Sequence, residues 1–528
     1  MFLQIGASSA AFRSRRSCYV AALYRRAKTK SHKYTPAQQF NTRYLTGSQI
    51  QTSLAPKPII ATKSIRENPE LYSQICLRRN LPLEATYPSR ISKLSNDLFE
   101  LRGSLNQIRS QQNSLSDKIK AVAPRRKTSP EEWDSLQSHA KELKQEISAV
   151  EIIEHRMENE MRILASDLPN LIHPDTPPAG KPRVIEYINK DKLPTEKFST
   201  IPTSTVPEHY FLRTPGKSHV DIGHELGILD FTSSSRTSGW GWYFLLGDAV
   251  LLEQALIQYA LACARRRGWN LVSPPSMVYS HISGACGFKP RDQNNEQQIY
   301  HIAQGSAAST SQDVPKPELC LTGTAEIPLA GMLANTSLPQ TVFPKKMAGV
   351  SRCYRAEAGS HGLATKGLYR VHEFTKVELF AWILSDYKSS DLMFKDILGL
   401  QIEILRGLDI PARVIDIPTD DLGAPAYRKY DIEAYMPSRQ GEKYGGWGEV
   451  TSVSECTDYQ ARRLNARYKQ HDGKLGFLWS LNGTALAVPR IIIAILENNW
   501  DSHRGEVRIP TSLHEYMGGT TVLRKKAV

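Results

Sequence analysis

The sequence predicts an α+β protein in which a long two-helix arm precedes a domain built on a mainly antiparallel sheet. Three observations carry this prediction. Apolar residues recur at alternating steps of three and four from Ile91 to Leu168. A proline-rich stretch follows, from Pro169 to about Pro215. Beyond Gly216, helical patterns mix with many short alternating runs, without the β-α-β-α order of a parallel doubly wound sheet.

The 528 residues are 40% hydrophobic and 23% charged, enough for a large core and for about three domains. The longest apolar run, VLLEQALIQYALACA, is broken by Glu253, Gln254 and Gln258, so no membrane insertion is expected. Seven cysteines, at 18, 76, 263, 286, 320, 353 and 456, include no C-x-x-C pair. That pattern disfavours a zinc knuckle or a disulfide framework and fits a reducing compartment.

The first 66 residues contain no Asp or Glu and hold 12 of the Lys and Arg residues, against a net charge of +14 for the whole chain. An acid-free, Arg- and Ser-bearing N-terminus has the composition of a mitochondrial transit peptide; a basic tail that binds RNA is the other reading. The expectation is a leader over 1–63, disorder there, and a destination in the mitochondrial matrix. The charge of this leader says nothing about nucleic-acid binding by the folded part.

A short helix and connector are expected over 67–90. The first long helix carries Ile91, Leu94, Leu98, Leu101, Leu105, Ile108, Leu115, Ile119 and Val122, with Gln112 as its polar break. The second carries Trp133, Leu136, Ala140, Leu143, Ile147, Val150, Met157, Met161, Leu164 and Leu168, broken at Glu154. Both series run for more than four heptads, a coiled-coil pattern. Pro124 ends the first helix, and Ser129, Pro130 and Glu132 open the second with a capping box. The short connection folds the helices back antiparallel, into an arm about 48 Å long. Arg125, Arg126 and Lys127 sit at its tip, and Arg102, Arg109, Lys118 and Lys120 give the first helix a basic surface. Dimerisation and a grip on an RNA backbone both suit such an arm.

The segments are then an arm domain over 64–170, a Pro-rich connector over 171–215 containing HPDTPPAGKP, a large domain over 216–519, and a tail over 520–528. PGKS at 215–218 is no phosphate loop, because Phe211 stands where the pattern needs Gly. GWGWYF lacks the third Gly of a dinucleotide fingerprint, and neither H-E-x-x-H nor G-x-S-x-G occurs.

Residues 355–378, RAEAGSHGLATKGLYRVHEFTKVE, are the most informative stretch. Period-2 alternation places Arg355 and Glu357 on one face of a first strand. It places Arg370, His372, Phe374, Lys376 and Glu378 on one face of a second, with Tyr369, Val371, Val377 and Leu379 opposite. Arg offers forked donors to phosphate, and Phe374 a flat surface for a purine. A nucleotide floor and a solvated edge hairpin laced with salt bridges are both compatible with these residues.

The stretch resembles the second motif of class II aminoacyl-tRNA synthetases, and in detail that of seryl-tRNA synthetases: R-x-E-x-G, then G-L-x-R-V-H-Q-F-x-K-V-E, with Glu373 where Gln is usual. LTGTAEIPL resembles the T-x-E loop of that family. GEVTSVSECTDYQARRL resembles its E-x-x-S-x-S segment, SLNGTALAVPRIIIAILEN the third class II motif and GWNLVSPPSMV the first. The likeness covers about residues 64–519. It departs at TSGWGWYFL, which lacks an Arg near Trp240, at Glu455 in place of Asn, and around Arg504 in DSHRGEVRIP.

The resemblance implies a class II synthetase sheet with flanking helices, and a serine–tRNA ligase that uses ATP and Mg²⁺. It implies that serine tRNA is held by the helical arm and that a homodimer forms through the first motif. It places L-serine among Thr324, Ala325, Glu326, Arg355, Glu378, Asn482 and Thr484. It places ATP against Arg355, Ala356, Glu357, Val371, His372, Glu373, Phe374, Glu449, Val450, Thr451, Ser452 and Arg490. Glu449 and Ser452 would hold the metal, and Arg355 and Arg490 would act as the catalytic cations. Glu378 and Thr484 would read the serine hydroxyl, so that alanine leaves them unpaired.

Overall fold

The computed structural model describes residues 55–125, 130–193, 216–288, 298–303, 317–357, 367–439 and 445–525. Among these, two compact units separate. Residues 61–74 and 82–168 form the first; 55–60, 75–81 and 169–525 form the second.

The first unit is a helical hairpin of α1 (Tyr87–Val122) and α2 (Pro130–Asp167). Pro88 at the start of α1 costs nothing, since its missing N–H would have no intrahelical partner there. Glu131 and Glu132 sit in the first turn of α2, where acids suit the positive helix end. The heptad positions Ile91, Leu94, Leu98, Leu101, Leu105 and Leu115 are buried, as are Leu143, Ile147 and Val150. Each buried Leu or Ile contributes about 1.5–3 kcal/mol.

Glu154, the polar break in the second series, accepts from Arg102 Nε at 2.6 Å, and Arg102 also reaches Glu158. Arg109 pairs with Glu151 at 2.8 Å and Arg90 with Glu160 at 2.7 Å. The expected basic surface of α1 is therefore corrected: Arg102 and Arg109 are matched by acids of α2, and Lys120 by Asp117 one turn away. Each pair is exposed enough to contribute under about 1 kcal/mol, and those between the helices mainly fix the register of the hairpin. Arg126, Lys127 and Ser129 lie outside the described residues, as does the side chain of Arg125.

The second unit centres on an eight-stranded sheet. Its strands are β1 (Arg183–Ile188), β2 (Asn270–Val272), β3 (Lys345–Tyr354), β4 (Glu373–Ile383), β5 (Ala412–Asp416), β6 (Arg428–Tyr435), β7 (Trp447–Thr457) and β8 (Trp479–Ala487). Their order is β1-β5-β6-β7-β8-β4-β3-β2. All neighbours are antiparallel except β2 and β3, which are parallel.

The helices used below are α3 (His219–Leu226), α4 (Asp248–Arg266), α5 (Glu326–Gly331), α6 (Tyr387–Gly407), α7 (Tyr459–Leu464) and α8 (Val488–Asn498). Leu252 and Leu256 of α4, Ile397 and Leu400 of α6, and Ile491 and Ile495 of α8 share one core with Val377, Leu379 and Ala381 of β4. The opposite face of β4 divides along its length. Phe380 and Trp382 enter a second core with Leu329 and Leu464. Phe374, Lys376 and Glu378 precede them on that face, and the polar end of the strand is where the site forms.

Three segment boundaries differ from expectation. The ordered chain begins before residue 63, since Ile59 N–H donates to the Arg462 carbonyl at 2.8 Å. The connector contains β1, which pairs with β5 at the sheet edge; its prolines masked the short alternating run RVIEYI. Residues 194–215 of the connector lie outside the described residues. Val522–Arg524, assigned to the tail, pair with Glu506–Arg508 as a small strand. Among the described residues no helix is long and apolar enough to cross a membrane. Their six cysteines are free and buried.

Candidate active site

Strand β3 ends at Tyr354 and β4 begins at Glu373, so the strands of the 355–378 stretch are shorter than their alternation suggested. Arg355 and Glu357 lie just past β3, while Arg370 and His372 precede β4. Left-handed backbone turns the chain out of the pleat at Glu357 (φ 47°) and Gly367 (φ 72°). Arg355 N–H then donates to the His372 carbonyl, and His372 N–H to that of Gly241, at 2.9 and 3.0 Å. The segment between, 358–366, lies outside the described residues.

A solvent-open cavity of about 600 Å³ lies over the polar end of β4. It brings together Arg355, Glu357, Val371, Phe374, Glu449, Val450, Thr451, Ser452, Thr484 and Arg490. These come from five parts of the chain. Arg355 lies over the Phe374 ring, 5.2 Å from its centroid. Arg370 reaches Glu357 at 3.4 Å. Arg490, at the start of α8, donates to the Glu449 carboxylate at 3.1 Å and lies 4.6 Å from the centroid of the Tyr369 ring.

Glu449 and Ser452 are three residues apart, which in a regular strand puts them on opposite faces. Here Glu449 pairs with Glu433 while Thr451 pairs with Ile432, so Val450 is an extra residue in β7. This bulge returns Ser452 to the face of Glu449. Burial opposes ionisation of Glu449, but Lys429, Arg490 and Arg355 outweigh it and hold its carboxyl down at about 2. On the same face, burial lifts Asp431 to about 7 against the pull of Lys429.

A second, buried cluster adjoins the cavity. Lys376 lines the cavity, donates to Thr324 Oγ1 at 2.7 Å and pairs with Glu378. Glu326 accepts from Gln460 of α7 at 2.6 Å and from Asn482 of β8 at 3.0 Å. Glu378 and Thr484 are direct partners across β4 and β8, so their side chains share a face. Burial, then the nearby Glu378, pushes the Glu326 carboxyl up to about 8. The cluster thus offers acids and hydroxyls to a small cationic, alcohol-bearing ligand, with Arg355 on its open side.

Beyond the buried cluster, four expected site residues put no side chain into the cavity. Ala325 is fully buried and can offer only backbone. Ala356 and Glu373 do not line the cavity, and Glu373 faces Arg352 at 3.6 Å. The His372 ring turns away to stack on Trp242 (5.8 Å, 19° between planes) and contacts the Tyr300 hydroxyl at 2.9 Å. Conversely, Arg370 and Lys376, which alternation put on the polar face, were given no role in the site, and Leu368 and Gln460 were not singled out from the sequence. Lys376 had a signal, its place in period with Phe374 and Glu378. Glu455, a departure from the family pattern, is buried and accepts from Ser390 (2.5 Å) and Arg428 (2.7 Å). Its charge is satisfied away from the cavity.

The N-terminal domain of seryl-tRNA synthetases matches residues 59–172, and the class II core domain of tRNA synthetases (G, H, P, S and T) matches 309–499. The mitochondrial serine–tRNA ligase of Saccharomyces cerevisiae is 39% identical over 456 residues, 86% of this chain and 91% of the yeast protein. The chain belongs to the seryl-tRNA synthetase family. The serine–tRNA ligase of Treponema denticola is 38% identical over 86% of this chain and 98% of its own. The seryl-tRNA synthetase of Pyrococcus horikoshii, solved with ATP, superposes with a TM-score of 0.73 at 32% identity, covering 88% of this chain and 99% of the other. A cytoplasmic serine–tRNA ligase from Naegleria fowleri, solved with AMP, gives a TM-score of 0.71 at 25% identity, over 89% and 100%. The antiparallel sheet with flanking helices is thus a class II synthetase fold, as the second-motif residues implied.

Proposed function

We propose that the chain is a serine–tRNA ligase that first joins L-serine to ATP, forming seryl-adenylate and pyrophosphate, and then moves the seryl group to the 3′ end of serine tRNA. One observation carries the mechanism: Arg355 lines the open cavity, and its charge also acts on Glu326 of the buried acid cluster. A serine carboxylate on Arg355 is thereby presented to an α-phosphate in the cavity. Attack there spreads negative charge over phosphate oxygens, and fixed cations stabilise it without reorganisation.

In this reading adenine stacks on Phe374, Glu357 reads its edge, and Arg490 holds the far phosphates. The backbone of Ala356, His372 and Glu373 borders the nucleotide, as does the stretch from Val450 to Thr451. Glu326, Thr324 and the Ala325 backbone take the α-amino end of serine. Glu378 and Thr484 take its hydroxyl, and Asn482 holds Glu326 in place. The bulge at Val450 gives Glu449 and Ser452 a shared face with two hard oxygen donors, a set suited to Mg²⁺ completed by water and phosphate oxygens. When bound, the ion supplies charge neutralisation at the phosphates.

The arm, a domain of its own from about residue 64 to 170, is the surface offered to serine tRNA. The acid-free residues that precede Ile59 would direct the protein to the mitochondrial matrix, a reading supported by their lack of acids and by the naming of the yeast relative. A homodimer through Gly268–Val278 is supported by the place of β2 at the edge of the sheet among the described residues, where Leu271 is 48% exposed, and by Met277, 44% exposed just after it.

Pyrophosphate exchange with each of the twenty amino acids tests the reading. Serine-dependent exchange is expected, and exchange with another amino acid but not serine overturns it.

A further inference from the structure

His219 and Glu497 form a buried titratable pair that the proposed chemistry does not use. Both side chains are nearly sealed from solvent, with 8% and 0% exposed. His219 opens α3, and Glu497 lies in the last turn of α8. His219 Nδ1 is 2.8 Å from Glu497 Oε1. Its other ring nitrogen, Nε2, receives the backbone N–H of Leu368 at 3.1 Å. A ring nitrogen that accepts carries no proton, so the ring proton is on Nδ1 and is donated to the carboxylate.

The carboxylate is fixed in turn. The backbone N–H of His219 reaches it at 3.1 Å, and Ser438 donates its N–H at 3.0 Å and its hydroxyl at 2.8 Å. Gly367, at φ 72°, lets the chain press onto the imidazole: a Cβ there would lie 2.2 Å from Nε2.

The stretch so held, from Leu368 to Val371, is a wall of the open cavity. Another tie is to Arg490, whose Nε donates to the Tyr369 carbonyl at 3.3 Å. Arg490 and Glu497 belong to the same helix. The two contacts therefore clamp the wall against α8 from both ends of that helix.

We propose that His219, oriented by Glu497, is a positioning residue for ATP: it sets the distance between the 368–371 wall and Arg490. It touches neither serine nor the buried acid cluster. This inference rests on the assignment of the open cavity to ATP.

The test is pyrophosphate exchange by the full-length chain, with KM for ATP and for serine measured separately. His219→Leu removes the acceptor for Leu368 N–H and should raise KM for ATP about tenfold, the worth of one buried hydrogen bond, with KM for serine little moved. His219→Gln keeps an acceptor near the Nε2 position and should recover most of the loss. Glu497→Gln keeps the shape and frees the ring to turn, so it should give a smaller loss of the same kind, and it serves if the Leu variant fails to fold. An unchanged KM for ATP, or equal rises in both KM values without rescue by Gln, overturns the proposal. Arg490→Ala separates the two readings: if it too leaves KM for ATP unmoved, the assignment of the cavity fails; if it alone raises KM, only the role of His219 does.

Discussion

Arg490 donates to both the side chain and the backbone carbonyl of Glu449, at 3.1 and 2.9 Å, although 41 residues separate them in the chain. The contact ties the start of α8 to the bulged strand β7 at the mouth of the cavity. It holds a cation at the cavity before any ligand arrives, and such a preset charge is how a site lowers a barrier without moving at the moment of reaction. Arg490→Ala should therefore lower kcat/KM for ATP by at least about a hundredfold in exchange assays. Arg355→Ala should abolish exchange while leaving the melting temperature nearly unchanged. Normal exchange by either variant would contradict its assigned role.

Glu326 gives a pH prediction. Its carboxyl is ordinarily half-ionised at 4.5, as in the unfolded chain, and burial followed by Glu378 moves this to about 8 in the folded protein. Between these values the folded state holds the additional proton, so this group makes stability fall as pH rises from about 4.5 to about 8. Glu326→Gln should flatten the melting temperature over that window. A serine ammonium favours the ionised carboxylate, so binding near neutrality should release a proton. Calorimetry in buffers of different ionisation enthalpy would detect the release as a binding heat that varies with the buffer, and identical observed heats in all buffers would count against it.

The pairing of Glu378 with Thr484 predicts how serine is told from alanine. Thr484→Val removes a hydroxyl at constant shape. Serine-dependent exchange should fall about ten- to a hundredfold, while the weak exchange with alanine stays where it was. Equal losses for both amino acids would show that the hydroxyl is read elsewhere.

The arm predicts a separation of the two half-reactions. Deleting residues 91–168 should spare serine-dependent exchange and abolish aminoacylation of tRNA. Within the intact chain, Leu105→Ala should cost about 2–5 kcal/mol of arm stability in a thermal melt. Arg102→Ala, which breaks half-exposed ion pairs, should cost under about 1 kcal/mol. Full charging activity without the arm would remove tRNA binding from its functions.

The parts of this molecule legible in the sequence are those governed by short-range periodicity. The heptad series showed both helices of the arm, and even its polar break at Glu154 marks the interhelical pair with Arg102. Alternation along 373–383 placed Phe374, Lys376 and Glu378 on one face. Alternation failed over Tyr369–His372, because left-handed backbone at Glu357 and Gly367 removes that segment from the ladder without changing its residue pattern. The bulge at Val450 was equally silent, since register depends on the partner strand. Gln460, His219 and Arg79 act through residues far away in the chain. Arg79 alone donates to the carbonyls of Asn170, Leu171, Gly423 and Ala426, and nothing in its neighbourhood of sequence announces this. Residues of the site itself were legible as motif types; their depth was not. Alternation put Glu378 and Lys376 on a polar face without saying whether it is solvated, and they are 1% and 6% exposed.

The most direct measurement is a crystal structure of the full chain with a non-hydrolysable analogue of seryl-adenylate. The adenine should lie on Phe374 beside Glu357, the phosphate mimic on Arg355, and the seryl hydroxyl between Glu378 and Thr484. An analogue bound outside the cavity over β4, or seated there with its seryl group turned away from the buried acids, would contradict the account.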